Sequence, residues 1–185
     1  AECLVGSEMC IRDRGMTKEA LIKKMQERQA SILNEAWNAR QPNLPINTKQ
    51  EALILASIIE KETSLKTERG KVSSVFVNRL LREIALQTDA SVVYGITRGK
   101  KVLGRGLRRS ELKKDTPWNT YVNKGLPPSP IGNPGKASIH AALNPDITNY
   151  LYFVADGSGG HAFAENLREH NINVAKWRKI EKTDN

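Results

Sequence analysis

The chain has 185 residues, 39% of them hydrophobic, which is enough to bury a core and makes one domain plus a tail the expected organisation. No run of roughly eighteen apolar residues occurs, and no start shows the charged, apolar, small-residue order of a signal peptide, so no membrane-inserted segment is expected within these residues. The net charge of +9 favours an anionic partner, either nucleic acid or anionic cell wall.

Cys3 and Cys10 lie ahead of any periodic segment, in a stretch from Cys3 to Arg14 that resembles a translated sequencing adapter. Residues 1–16 are therefore expected to be a non-native leader, residues 17–182 the domain and 183–185 its tail. Between Thr17 and Ala39, Leu21, Met25, Ile32, Leu33 and Trp37 recur at helical spacing, and Pro42 and Pro45 end that helix. Asn47 or Thr48 caps a second helix to about Leu65, and Thr67 with Glu68 opens a third to about Leu86, with Val72, Val75, Phe76, Arg79, Leu80 and Ile84 on its inner face.

Gln87-Thr88-Asp89 breaks the periodicity, and the Gly-, Pro- and Lys/Arg-rich stretch 99–135 reads as long loops. The densest basic run, Arg98 to Lys114, is either a solvated loop face or an anion-binding one. A short helix over 136–143 follows, then a strand at 150–155, a turn at Asp156–Gly160 and a hairpin partner from His161 to Phe163. A last helix runs from about Ala164 to Lys182.

The chemistry concentrates in the second helix, from Glu51 to Thr63. Its apolar residues point in nearly every direction, so it is expected to be buried on most sides. Ile54, Leu55, Ile58 and Ile59 form its richest stripe; Glu62 continues that stripe and Glu60 points the opposite way. A carboxyl that continues an apolar stripe is partly desolvated, which raises its pKa toward the range of a general acid. The alternative is that the stripe ends at Ile59 and Glu62 emerges into solvent; spacing alone leaves both open. His140, His161 and His170 have no paired-ligand spacing, so no metal site is expected, and neither nucleophile-elbow nor phosphate-loop motifs occur.

Ala56-Ser57-Ile58-Ile59-Glu60-Lys61-Glu62-Thr63 resembles the signature of the YceG-like endolytic murein transglycosylases. Later segments fit the same family in order: Leu86-Gln87-Thr88-Asp89 with Val93-Tyr94-Gly95; Asn119-Thr120-Tyr121 with Gly125-Leu126-Pro127-Pro128; Pro130-Ile131 with Pro134-Gly135; and Leu151 to Gly157 with Gly159-Gly160-His161 and Phe163. The resemblance implies an α+β fold, mostly helical, with a lysozyme-like catalytic core and a small hairpin. It also implies cofactor-free cleavage of the β-1,4 bond between N-acetylmuramic acid and N-acetylglucosamine in peptidoglycan, closing 1,6-anhydro ends, with Glu62 as acid and base.

Gln87, Thr88, Asp89, Tyr94, Asn119 and Tyr121 are then the candidates for binding the glycan. Asp89 is the nearest possible second carboxylate, and is otherwise expected to cap the helix that follows it. Tyr94 and Tyr121 either stack on sugar or pack internally, and Asn119 either binds or turns the chain. Leu126-Pro127-Pro128 is expected to wall the cleft and loops 87–135 to roof it, while His161 either touches substrate or, the favoured reading, terminates the hairpin. The family also implies a membrane anchor and a sugar-binding module ahead of this segment, an extracytoplasmic position in a bacterial cell, and peptidoglycan synthases, the penicillin-binding proteins, as partners. Three rivals remain: a basic nucleic-acid-binding module, although no nucleic acid is expected on the resemblance; hydrolysis by Glu62 with Asp89; and a non-catalytic scaffold for wall synthesis.

Overall fold

Thr17 opens the part of the chain that the computed structural model describes, residues 17–183; the expected leader, with both cysteines, and the last two residues lie outside the described residues. Helix α1 spans Lys18–Asn38, starting where the Thr17 hydroxyl accepts from the Ala20 N–H. Helix α2 spans Lys49–Glu62 and is pinned at its start by a reciprocal cap: Thr48 Oγ1 accepts from the Glu51 N–H at 3.1 Å, and the Glu51 carboxylate accepts from the Thr48 N–H at 3.1 Å.

The remaining elements are α3 (Arg69–Leu81), α4 (Asp89–Thr97), α5 (Arg109–Lys113), α6 (Lys136–Leu143), β1 (Tyr152–Ala155), β2 (His161–Ala164) and α7 (Leu167–Thr183). The α+β class is as the sequence implied, mostly helical with one two-stranded sheet. No helix among the described residues is long and apolar enough to cross a membrane.

α2 is the central rod, in contact with α1, α3, α4 and α6. Ala52 and every residue from Ile54 to Ile59 are buried, and each fully buried Leu or Ile contributes about 1.5–3 kcal/mol. Ser57, a polar residue inside this rod, is satisfied at both ends: its hydroxyl donates to Ile54 O at 2.7 Å and accepts from the Ile131 N–H at 2.9 Å, tying the 130s loop to the core. β1 and β2 form an antiparallel hairpin in the register Tyr152 with Ala164 and Ala155 with His161, and α7 packs across it.

Three helix boundaries differ from the expectation by three residues or more, each for a local reason. α2 stops at Glu62, not Leu65, because buried Thr63 turns extended (φ −143°, ψ 134°) and its hydroxyl accepts from the Leu65 N–H. α3 stops at Leu81, not Leu86: Glu83 takes φ 53°, and the N–H groups of Glu83 and Ile84 close back onto Leu80 O and Arg79 O, the Schellman pattern. α7 begins at Leu167, not Ala164, because Ala164 pairs across the hairpin and its carbonyl accepts from the Leu151 N–H.

Candidate active site

Glu62 is the last residue of α2, where the stripe of Leu55, Ile58 and Ile59 leaves the core and meets a cleft of about 540 Å³. Neither sequence reading is complete. The side chain is half-buried, neither sealed nor free in solvent. Burial raises its pKa above the ordinary carboxylate value; a hydrogen bond from the Thr88 hydroxyl works against this, the Asp89 charge adds to the rise, and His161 lowers it. Its position at a helix C-terminus, with its partial negative charge, also disfavours the carboxylate. Glu60 faces the other way, as its phase requires. Its carboxylate accepts from the Gly135 N–H at 3.0 Å and from Ser138 Oγ at 2.6 Å, with Arg69 at 3.9 Å, so it anchors the start of α6.

The partner of Glu62 is built by long-range contacts. Thr88 sits at the N-cap of α4 but makes no side-chain cap hydrogen bond; its hydroxyl instead donates to Glu62 Oε1. The turn that aims it there passes through Gln87 at φ 54°, a left-handed conformation that costs on the order of 1–3 kcal/mol for a residue with a side chain. Two groups hold it. Thr120 supplies its carbonyl to the Gln87 N–H at 3.0 Å and its hydroxyl to the Thr88 N–H at 3.1 Å. The buried guanidinium of Arg79 donates to Ala85 O, Leu86 O and Gln87 Oε1 through Nη1, and to Leu151 O through Nε at 2.6 Å.

Asp89 is the first residue of α4, not its cap, and its Oδ1 accepts from the Tyr121 hydroxyl at 2.7 Å. Burial first, and then this carboxylate, push the Tyr121 phenol well above its usual range, so it stays a donor. Gln87, Thr88, Asp89 and Tyr121 thus line one cleft with Glu62.

Two candidates are elsewhere. Asn119 is fully buried; its amide donates to the carbonyls of Glu111, Leu112 and Lys114 and its Oδ1 accepts from the Tyr121 N–H, so it organises the loop and has no polar group left for a glycan. Tyr94 packs on Trp118, with ring centroids 5.9 Å apart, outside the cleft lining.

The far wall also differs from the expectation. Loops 87–135 contribute only Gln87, Thr88, Asp89 and Tyr121 to the lining, and Leu126-Pro127-Pro128 contributes nothing. The opposite side comes from the hairpin and α7: Tyr152, Phe153, Val154, Leu167, His170 and Val174, with Val75, Phe76, Arg79 and Leu86 at the floor. His170 stacks on Tyr152 at 5.0 Å, and burial lowers its pKa. Only Arg79 carried a warning in the sequence, a cation in the apolar phase of α3. His161 begins β2 as expected, with its backbone N–H and Nδ1 both on the Glu68 carboxylate at 2.9 and 2.7 Å. Glu68 is the N-cap residue of α3, but its carboxylate is turned to His161 and makes no side-chain cap. Among the described residues no group of three or more His, Cys, Asp or Glu side chains could hold a metal ion.

The sequence model of the YceG-like family matches residues 10–176. A Bacillus subtilis (strain 168) protein named endolytic murein transglycosylase is 45% identical over 126 residues, 68% of this chain and 34% of that protein. One of Streptococcus pneumoniae serotype 2 (strain D39) with the same name is 34% identical over 167 residues, 86% of this chain and 29% of that one. A solved yceG-like protein of Listeria monocytogenes is similar with a TM-score of 0.72 at 31% identity, covering 88% of this chain and 51% of its own. The chain spans about a third of the length of these two curated relatives.

Proposed function

Because the chain belongs to the YceG-like family, we propose that it carries the catalytic unit of an endolytic lytic transglycosylase acting on peptidoglycan, within residues 17–182. The observation that carries this reading is the placement of Glu62: a half-buried carboxyl of raised pKa, at the end of a buried helix, in an open cleft lined by hydrogen-bonding groups on one side and aromatic faces on the other. Such a cleft suits sugar rings, which stack by their faces and are oriented by their hydroxyls.

In the first step protonated Glu62 donates its proton to the glycosidic oxygen as the bond from muramic C1 breaks. The resulting carboxylate then removes the proton from the muramic C6 hydroxyl, O6 bonds to C1, and the 1,6-anhydro ring closes with no water consumed. Glu62 ends as it began, protonated. An internal nucleophile removes the need for the second carboxylate that ordinary glycosidases use. Asp89 is engaged by Tyr121, which fits a role in orienting substrate and in keeping Glu62 protonated. Gln87, Thr88 and Tyr121 supply the polar contacts. The reading extends to the full-length protein at the bacterial cell membrane, with this unit on the outer side beside peptidoglycan synthases.

The test is mass spectrometry of peptidoglycan digested with the protein and with its Glu62→Gln variant. Anhydro-muramic ends from the wild type alone support the lyase reading. Reducing ends assign hydrolysis with Asp89, and full activity in a folded Glu62→Gln protein overturns the role of Glu62.

A further inference from the structure

The segment from Arg98 to Lys114 takes no part in the cleft. It holds eight cations and one carboxylate, and eight less one accounts for seven of the chain's net +9. The carboxylate, Glu111, is taken by Arg105 in a two-pronged pair at 2.6 and 2.8 Å, which with the Arg108 backbone N–H holds its pKa down to about 2. The other cations of the segment are all exposed, with no further acid in the run to offset them.

The exposed segment has a defined shape. Arg98 (φ 53°), Gly99 (φ 69°) and Gly104 (φ 69°) wind the chain into a projecting turn. Its base is held on one side by Arg98 over the Trp118 ring at 3.5 Å, and on the other by the Asn119 amide, which grips the carbonyls of Glu111, Leu112 and Lys114. At the tip, directly after Lys100 and Lys101, Val102 is 90% exposed, with Leu103 and Leu107 half-exposed behind it.

We propose that this basic turn docks on the anionic headgroups of a phospholipid bilayer, with Lys100 and Lys101 at the phosphates and Val102 inserted at the headgroup boundary. Clustered Lys and Arg beside an exposed apolar residue match the two attractions such a surface offers. A soluble polyanion uses only the first of them and gains nothing from Val102. A single-stranded nucleic acid is also held by aromatic faces for its bases, and the aromatic rings at the base of the turn, Trp118 and Tyr94, pack on each other with Arg98 over Trp118. α4 runs from Asp89 at the cleft to Thr97 at the foot of this turn, so docking would set the cleft about 13 Å from the turn along the helix axis.

The experiment is co-sedimentation of the 185-residue chain with vesicles of phosphatidylcholine, alone or with about a third phosphatidylglycerol. Three proteins are compared: the wild type, Lys100→Glu with Lys101→Glu, and Val102→Ser. These are exposed loop positions outside the cleft. The wild type is expected to bind the anionic vesicles and not the neutral ones. The charge reversal should weaken binding by about thirtyfold or more, at about fivefold per lysine lost. Val102→Ser should weaken it several-fold while leaving affinity for duplex DNA, a soluble polyanion, unchanged. Equal binding to both vesicle types, or no effect of the charge reversal, overturns the proposal. So does an unaltered vesicle affinity in Val102→Ser combined with DNA binding of equal strength, which would assign the turn to soluble polyanions.

Discussion

Thr88→Val isolates one hydrogen bond. Valine keeps the branched shape of the buried threonine and deletes only the hydroxyl that donates to Glu62. In the wild type that donation favours the ionised carboxyl, opposing the rise that burial and Asp89 impose. A hydrogen bond to a charged group is worth about 1.5–3 kcal/mol net, and at an open cleft the lower end applies. Since about 1.4 kcal/mol is a tenfold change in a protonation equilibrium, the variant should hold its proton about tenfold more tightly. If Glu62 must be protonated to start the reaction, the alkaline limb of kcat/KM moves up by about one pH unit, because that limb reports the acid of the free enzyme. The assay is the rate of anhydro-end formation from peptidoglycan across pH. A limb that stays in place, or moves to lower pH, refutes the coupling of Thr88 to Glu62.

Asp89→Asn should move the same limb the other way, because it removes a charge that raises the Glu62 pKa; the two pH profiles should fall on opposite sides of the wild type. Glu62 itself weakens the fold near neutral pH. Its folded pKa lies above the unfolded value, so its favourable contribution is complete below the unfolded value and is lost as pH rises through the folded one. Glu62→Gln should therefore raise the thermal midpoint by a few degrees, about 1 kcal/mol, at neutral pH, and not at pH 4, as calorimetry would show. Arg79→Met strands the carbonyls of Ala85, Leu86 and Leu151 and should cost about 3–5 kcal/mol by urea unfolding. Asn119→Ala should cost about 2–3 kcal/mol by the same measurement, while in the cold the folded variant keeps its KM for peptidoglycan, as befits a residue that holds a loop rather than a sugar.

The sequence by itself determined whatever depends on near neighbours. Apolar residues in every direction from Ala52 to Ile59 required a buried helix, and the one-residue difference in phase between Glu60 and Glu62, doubled, put them on opposite sides of it. The start of α2 at Asn47 or Thr48 and the hairpin turn at Asp156–Gly160 were legible because each is closed by residues a few positions apart.

Tertiary structure alone decided the rest. Where α2 ends depends on buried Thr63, and Asp89 falls one position inside α4, where its carboxylate accepts from Tyr121. Gln87 and Thr88 are aimed by Thr120 and Arg79, while the far wall comes from Tyr152, His170 and α7, roughly a hundred residues after Glu62. Asn119 and Tyr94 lie in the same matched segments as true cleft residues, yet face inward. Periodicity records which side of an element is apolar, but which polar side chains converge on a cleft depends on how separate elements pack, and no local spacing encodes that.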